Sequence, residues 1–231
     1  MLRIDNITVC YNNVTAVDSL KFDVESGECV ALIGANGAGK TTTLSALAGI
    51  LPLSSGRVFL NGEDISNIPT QKLIKKGISL VCEGRRVFPL LTVEENLKCG
   101  AYLRMDKEIK QDINKMYDMF PVLYDKRKTV ASMLSGGQQQ MLAVARSLMA
   151  RPSLLLLDEV TMGLSPAMIK EVFSRLSELR RLGMTMIISG QEVNRALSVS
   201  QRAVVLKCGK RIAFDKSASL IGSKAVDSAY L

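Results

Sequence analysis

The chain reads as an α/β protein with a mostly parallel central sheet, an antiparallel edge sheet and an inserted helical segment. Three observations predict this. Short β-branched and leucine-rich runs alternate with helical patterns along most of the 231 residues. The runs VALIG, LLLLD and MIIS are apolar without alternation, as strands covered on both faces are. Between about Arg85 and Val130 the strands disappear and helical periodicity takes over.

In order, RIDNITV at the N-terminus alternates apolar and polar residues and predicts a strand with one wet face. ECVALIG predicts the first buried strand, TTTLSALAGIL a helix, and GRVFL and GISLVC two further strands. TVEENLKCGAYLRM and KEIKQDINKMYDMF carry helical spacing, with Pro89 and Pro121 as punctuation. MLAVARSLM continues the helical character, SLLLLDE and TMIIS return to buried strands, and EVNRALSVS reads as a helix. The closing pair AVVLKCG and KRIAFD alternates more, which predicts antiparallel additions at the sheet edge. The expected organisation is one domain, 1–231, in which 1–84 and 152–231 form the core with its edge sheet and 85–151 the helical lobe. No internal repeat or low-complexity segment interrupts it.

Composition narrows the function classes. Hydrophobic content of 47% supports a sizeable core, but nowhere do 18 apolar residues run together, and no signal-peptide pattern opens the chain. The expectation is therefore a cytoplasmic protein. Cys10, Cys29, Cys82, Cys99 and Cys208 form no CxxC pair, so buried, reduced thiols are expected, with neither disulfides nor a metal cluster. A net charge of +8 suits nucleic acid, an anionic membrane face or a polyphosphate, and alone does not choose among them.

The motif that chooses is GANGAGKTT at 34–42, a full G-x-x-x-x-G-K-[ST] match between a buried strand and a helix. Gly34, Gly37 and Gly39 let backbone N–H groups converge on phosphate oxygens, with Asn36, Ala38 and Thr42 completing the ATP-binding loop. Lys40 is placed to bridge the β- and γ-phosphates, and the Thr41 hydroxyl to ligate Mg²⁺. This is a P-loop nucleotide-binding core. In SLLLLDEV the strand ends in Asp158 and Glu159, which successive side-chain directions separate: Asp158 toward Mg²⁺, Glu159 toward a water at the γ-phosphate. The alternative is a pair that merely caps the helix starting near Pro166. LSGGQQQ at 134–140 adds a second candidate anion site, with Ser135 as helix cap and Gly136 and Gly137 leaving N–H groups bare.

P-loop, LSGGQ and acidic strand in that order make the chain resemble the ATP-binding-cassette ATPases over essentially its whole length. The resemblance implies a second ATPase subunit, homo- or heterodimeric, with Ser135, Gly136, Gly137 and Gln138 of one copy covering the ATP of the other. It implies that Tyr11 stacks on adenine, against the plain alternative of an exposed turn tyrosine. The family's glutamine-loop position holds Glu83, a carboxylate able to ligate Mg²⁺ or orient water, and EGRRVFP followed by LTVEENL resembles the subgroup that powers branched-chain amino acid importers. Arg85 and Arg86 stay open between a solvated charge pair and a coupling role. Val160 replaces the usual proline, and Met162-Gly163-Leu164-Ser165 stands where the family usually has Ser-Ala-Leu-Asp. Where most members carry a histidine on the γ-phosphate this histidine-free chain has Gln191, preceded by Gly190 instead of the subgroup's glutamate. Gln191 then acts as a neutral phosphate contact, or else it caps the following helix.

The resemblance implies an ATPase at the inner face of the cell membrane, bound to transmembrane permease subunits and served indirectly by a substrate-binding protein. Branched-chain or similar hydrophobic amino acids are the expected cargo, with urea, amides or another small nutrient as the alternative. No nucleic acid partner is expected. The rival is a soluble member acting on DNA or ribosomes: DNA-repair members need a long coiled coil, and no sustained heptads lie between Gly34 and Ser135, while ribosome-acting members typically carry two cassettes in one chain.

Overall fold

The computed structural model describes residues 1–230. Strands β1 (Leu2–Tyr11) and β2 (Val14–Val24) form a hairpin, followed by β3 (Cys29–Ile33), α1 (Lys40–Leu47), β4 (Ser55–Leu60), β5 (Glu63–Asp64), α2 (Thr70–Lys75) and β6 (Ile78–Val81). Next come α3 (Val93–Gly100), α4 (Ile109–Met119), α5 (Pro121–Asp125) and α6 (Gly136–Leu148), with no strand between them. The chain then alternates β7 (Leu154–Leu157), α7 (Pro166–Arg181), β8 (Thr185–Ser189), α8 (Val193–Val199), β9 (Arg202–Lys207) and β10 (Lys210–Lys216), and ends in α9 (Ser217–Leu220) and α10 (Lys224–Ser228).

Two sheets result. The antiparallel one has the order β2-β1-β4-β5, and the larger one β10-β9-β3-β8-β7-β6. In the larger sheet every pairing is parallel except β10 on β9. Side-chain alternation divides its apolar runs between two cores. Ala31, Ile33, Leu155, Leu157, Met186 and Ile188 pack with the residues of α3 to α8. Val30, Leu32, Leu154, Leu156 and Ile187 pack with α1 and the antiparallel sheet. Each face has its own cover, and that is why these strands show no polar alternation.

The closing pair departs from expectation. β10 is the antiparallel edge strand, but β9 runs parallel to β3, and Ala203 to Leu206 are buried like the central strands. The run Ala-Val-Val-Leu has no polar member to face water, so it belongs inside. The thiols also differ in part. All five cysteines are free, but only Cys29 is buried, and Cys208 is exposed in the β9–β10 turn with φ 47°.

Candidate active site

The P-loop leaves β3 at Gly34 and enters α1 at Lys40. Two of its glycines are sterically required. A Cβ at Gly34 would lie 2.4 Å from the Leu206 carbonyl oxygen, and one at Gly39, where φ is 100°, would lie 2.8 Å from that of Ala16. Lys40 is almost fully buried, and its Nζ donates to the carbonyls of Gly34 at 2.8 Å and Ala35 at 3.1 Å. Those two bonds hold the ammonium across the mouth of the loop.

The acidic pair reaches the loop through strand order. Because β7 and β8 are parallel neighbours, with Leu157 opposite Ile188, the residues just beyond, Asp158 and Ser189, also lie side by side. The Ser189 hydroxyl donates to Asp158 Oδ1 at 2.6 Å, and the Thr41 hydroxyl donates to the same oxygen at 3.1 Å. The Glu159 N–H donates to Ser189 Oγ at 3.3 Å. Glu159 itself takes a left-handed conformation, φ 47°, which ends the strand and sends its carboxylate back toward Lys40, with Nζ and Oε1 3.4 Å apart. Burial raises the Glu159 pKa above the ordinary glutamate value; Lys40 pulls against it, and the Asp158 and Glu83 charges push the same way as burial. The pair does not cap α7, whose start is capped by Ser165 accepting from the Met168 N–H.

A cleft of about 270 Å³ opens over these groups. Asn36, Gly37, Gly39, Lys40, Thr41 and Thr42 line it from the loop, and Glu83, Glu159 and Gln191 line it from the ends of β6, β7 and β8. Gln191 does not cap α8: the cap position is Glu192, with no side-chain cap bond. Asp158 lies buried behind Thr41, and Ala38 turns into the core under the antiparallel sheet. Tyr11 is not part of the lining and stands exposed at the end of β1. Ser135, Gly136, Gly137 and Gln138 are also outside it, at the start of α6, where Ser135 Oγ accepts from the Gln138 N–H and Gln138 Oε1 accepts from the Ser135 N–H. Sequence reasoning missed Ser189, Ala16 and Met162. The last two line the cleft and Ser189 pins both acidic residues, yet its only signal was a hydroxyl residue at a strand end.

The profile of the ABC transporter family matches residues 17–162. The chain belongs to that family. It is 40% identical, over its full length and 99% of the relative's, to the high-affinity branched-chain amino acid transport ATP-binding protein BraG of Pseudomonas aeruginosa. It is 38% identical to the probable branched-chain amino acid transport ATP-binding protein LivF of Archaeoglobus fulgidus, over 95% of this chain and 93% of that one. The lipopolysaccharide export ATP-binding protein LptB of Haemophilus influenzae is 30% identical over the full chain and 97% of its own length. A nucleotide-free ATP-binding cassette from an ABC transporter superposes with a TM-score of 0.90 at 24% identity, covering the whole chain and 98% of that cassette. The chain is thus an ABC ATPase with the cassette fold. Val160, the family departure beside the acidic pair, is buried in the core between sheet and helices.

Proposed function

We propose that this ABC ATPase is the motor of a multi-subunit importer for branched-chain or similar hydrophobic amino acids, seated on the inner face of the membrane against permease subunits. Lys40 exchanges its loop carbonyls for β- and γ-phosphate oxygens. Glu159 takes the proton of the attacking water as its oxygen bonds to the γ-phosphorus and ADP leaves. Gln191 donates its amide N–H to the γ-phosphate and orients the water through its carbonyl oxygen, while Glu83 closes the same wall. Thr41 and Asp158 fit Mg²⁺: both are hard oxygen donors, the carboxylate is buried, and among the described residues it has hydroxyl donors but no ion-paired cation. When bound, Mg²⁺ supplies charge neutralisation at the β- and γ-oxygens. Tyr11 stacks on adenine. In a dimer, Ser135 to Gln138 of the second copy cover the nucleotide.

The observation that carries the catalytic reading is the buried approach of Glu159 to Lys40 across one cleft. For the cargo, support comes from the full-length likeness to the Pseudomonas transport protein. The importer reading is tested in proteoliposomes holding this chain, its membrane partners and a cargo-loaded binding protein. Leucine, isoleucine or valine should stimulate ATP hydrolysis and urea should not; stimulation by urea alone, or by lipopolysaccharide, overturns the cargo.

A further inference from the structure

The loop after β6 delivers Glu83 to the cleft and then passes through two consecutive left-handed residues, Arg85 (φ 65°) and Arg86 (φ 48°). Non-glycine residues rarely take that conformation, so two in a row are maintained by their surroundings. Arg86 folds back on its own loop: its Nε donates to the Glu83 carbonyl at 3.3 Å, and its carbonyl accepts from Arg146 Nη2 at 2.6 Å. Arg85 goes the other way. Its Nη1 donates to Gln139 Oε1 at 3.4 Å and its Nη2 to the Gly163 carbonyl at 3.5 Å.

Both bonds are long, so shape matters more than either. A Cβ at Gly136 would fall 2.8 to 3.0 Å from Nη2, Cζ and Nη1 of Arg85, and one at Gly163 would fall 3.8 Å from Nη2. The guanidinium therefore lies against Gly136, which opens the signature helix α6 and where a side chain would collide with it, and reaches Gly163 in the loop that leaves Glu159. That second loop is tightly wound, with the Met162 N–H on the Glu159 carbonyl at 3.1 Å and the Leu164 N–H on that of Thr161 at 3.2 Å. Gly163 turns it through φ 67°. A planar fork lies flat against a bare glycine and donates at both ends, which a lysine ammonium cannot do.

We propose that Arg85 is a positioning residue that ties the loop bearing Glu83 to the start of α6 and to the loop leaving Glu159, so that the cleft and the signature helix keep one spacing. The proposal deepens the catalytic reading above and rests on it. It also gives Gly163, a departure from the family pattern, a physical role: its carbonyl receives the guanidinium.

The test is steady-state ATP hydrolysis by the full chain with Arg85→Ala, Arg85→Lys, Gln139→Ala and the Arg85→Ala/Gln139→Ala double variant, with thermal unfolding measured in parallel. Arg85→Ala should lower kcat about 10-fold or more while KM for ATP and the unfolding midpoint hold, because no P-loop contact is touched. Arg85→Lys should be as slow as the alanine variant, and the double variant should lose less than the two single losses combined, although Gln139 also donates to the Ala131 and Leu134 carbonyls. Wild-type kcat in Arg85→Ala, full rescue by lysine, or additive losses in the double variant would overturn it. Glu159→Gln, assayed alongside, separates the two levels: hydrolysis at wild-type rate in that variant sinks the catalytic reading, whereas the arginine comparisons judge Arg85.

Discussion

Ser189→Ala removes one oxygen that serves both acidic residues. The hydroxyl is 1% exposed, donates to Asp158 Oδ1 at 2.6 Å and accepts from the Glu159 N–H at 3.3 Å. A hydrogen bond to a charged group is worth about 1.5–3 kcal/mol, and a buried N–H left without a partner costs about 1–3 kcal/mol. The two losses act on different observables. Asp158 keeps only the Thr41 hydroxyl at 3.1 Å, so the carboxylate assigned to Mg²⁺ loses its fixed position. If most of the charge-assisted bond is expressed in the transition state, kcat/KM falls by about 10–100-fold, at 1.36 kcal/mol per tenfold. The orphaned N–H appears instead in stability: about 1–3 kcal/mol, at roughly 2–4 °C each for a chain of this size, lowers the melting midpoint by about 2–12 °C.

The assay is ATP hydrolysis at 25 °C, well below the midpoint, titrated with Mg²⁺ at fixed ATP. The variant should need more Mg²⁺ for half-maximal rate and should not regain the wild-type plateau. A variant with wild-type kcat and an unchanged Mg²⁺ titration would refute the reasoning, since Asp158 would then be held well enough by Thr41 alone.

Glu159→Gln should bind ATP but hydrolyse it about 10²–10⁴-fold more slowly, accumulating an ATP-loaded dimer on size-exclusion chromatography; a monomer hydrolysing at wild-type rate refutes it. Because burial raises the Glu159 pKa, the basic form is lost at higher pH than for an ordinary glutamate as pH falls. Wild-type kcat should therefore decline on the acid side above the usual carboxylate range, a decline that the glutamine variant lacks. Gln191→Ala should lower kcat about 10–100-fold with little change in KM, and Gln191→His should acquire a pH dependence between about 6 and 8; an unchanged kcat in the alanine variant removes Gln191 from the site. With a thiol reagent on the native chain, exposed Cys208 should react early and Cys29, pushed up to about 12 by burial, only on unfolding. Reaction of Cys29 at the rate of Cys208 would show that the sheet interior is open.

What could be read from the sequence was what lies contiguously along it. The P-loop, its preceding strand and its following helix occupy one stretch, and backbone geometry ties their spacing to phosphate chemistry. The acidic pair was legible because four leucines announce a buried strand and its end. Ser189 was not, because its importance depends on β8 lying beside β7, a long-range pairing that no local pattern encodes. Arg85 was read as an open choice for the same reason: whether an arginine is solvated or packed depends on Gly136 and Gly163, which reach it only through the packing of α6 and the loop after β7. The direction of β9 depends on its pairing with β3, and the exposure of a cysteine on which face of its element it takes, neither of which apolar neighbours in the sequence decide.

The charge inside the cleft bears on why a second copy belongs to the proposed mechanism. Among the described residues Lys40 is the one cationic side chain in its lining, while Glu83 and Glu159 also line it and Asp158 lies just behind. A nucleoside triphosphate is itself strongly anionic, so the cleft alone presents two carboxylates to the very oxygens it must bind. The backbone N–H dipoles of the P-loop and the partial positive end of α1 offset part of this repulsion. In the proposed mechanism two further positive contributions complete the balance: Mg²⁺ at Thr41 and Asp158, and the helix start at Gly136 of a second copy, which lies outside the lining of its own cleft. On that reading the acidic wall is a device. Within the proposed dimer it makes the isolated subunit a poor host for the developing negative charge, so that rapid hydrolysis waits on the α6 of a second copy.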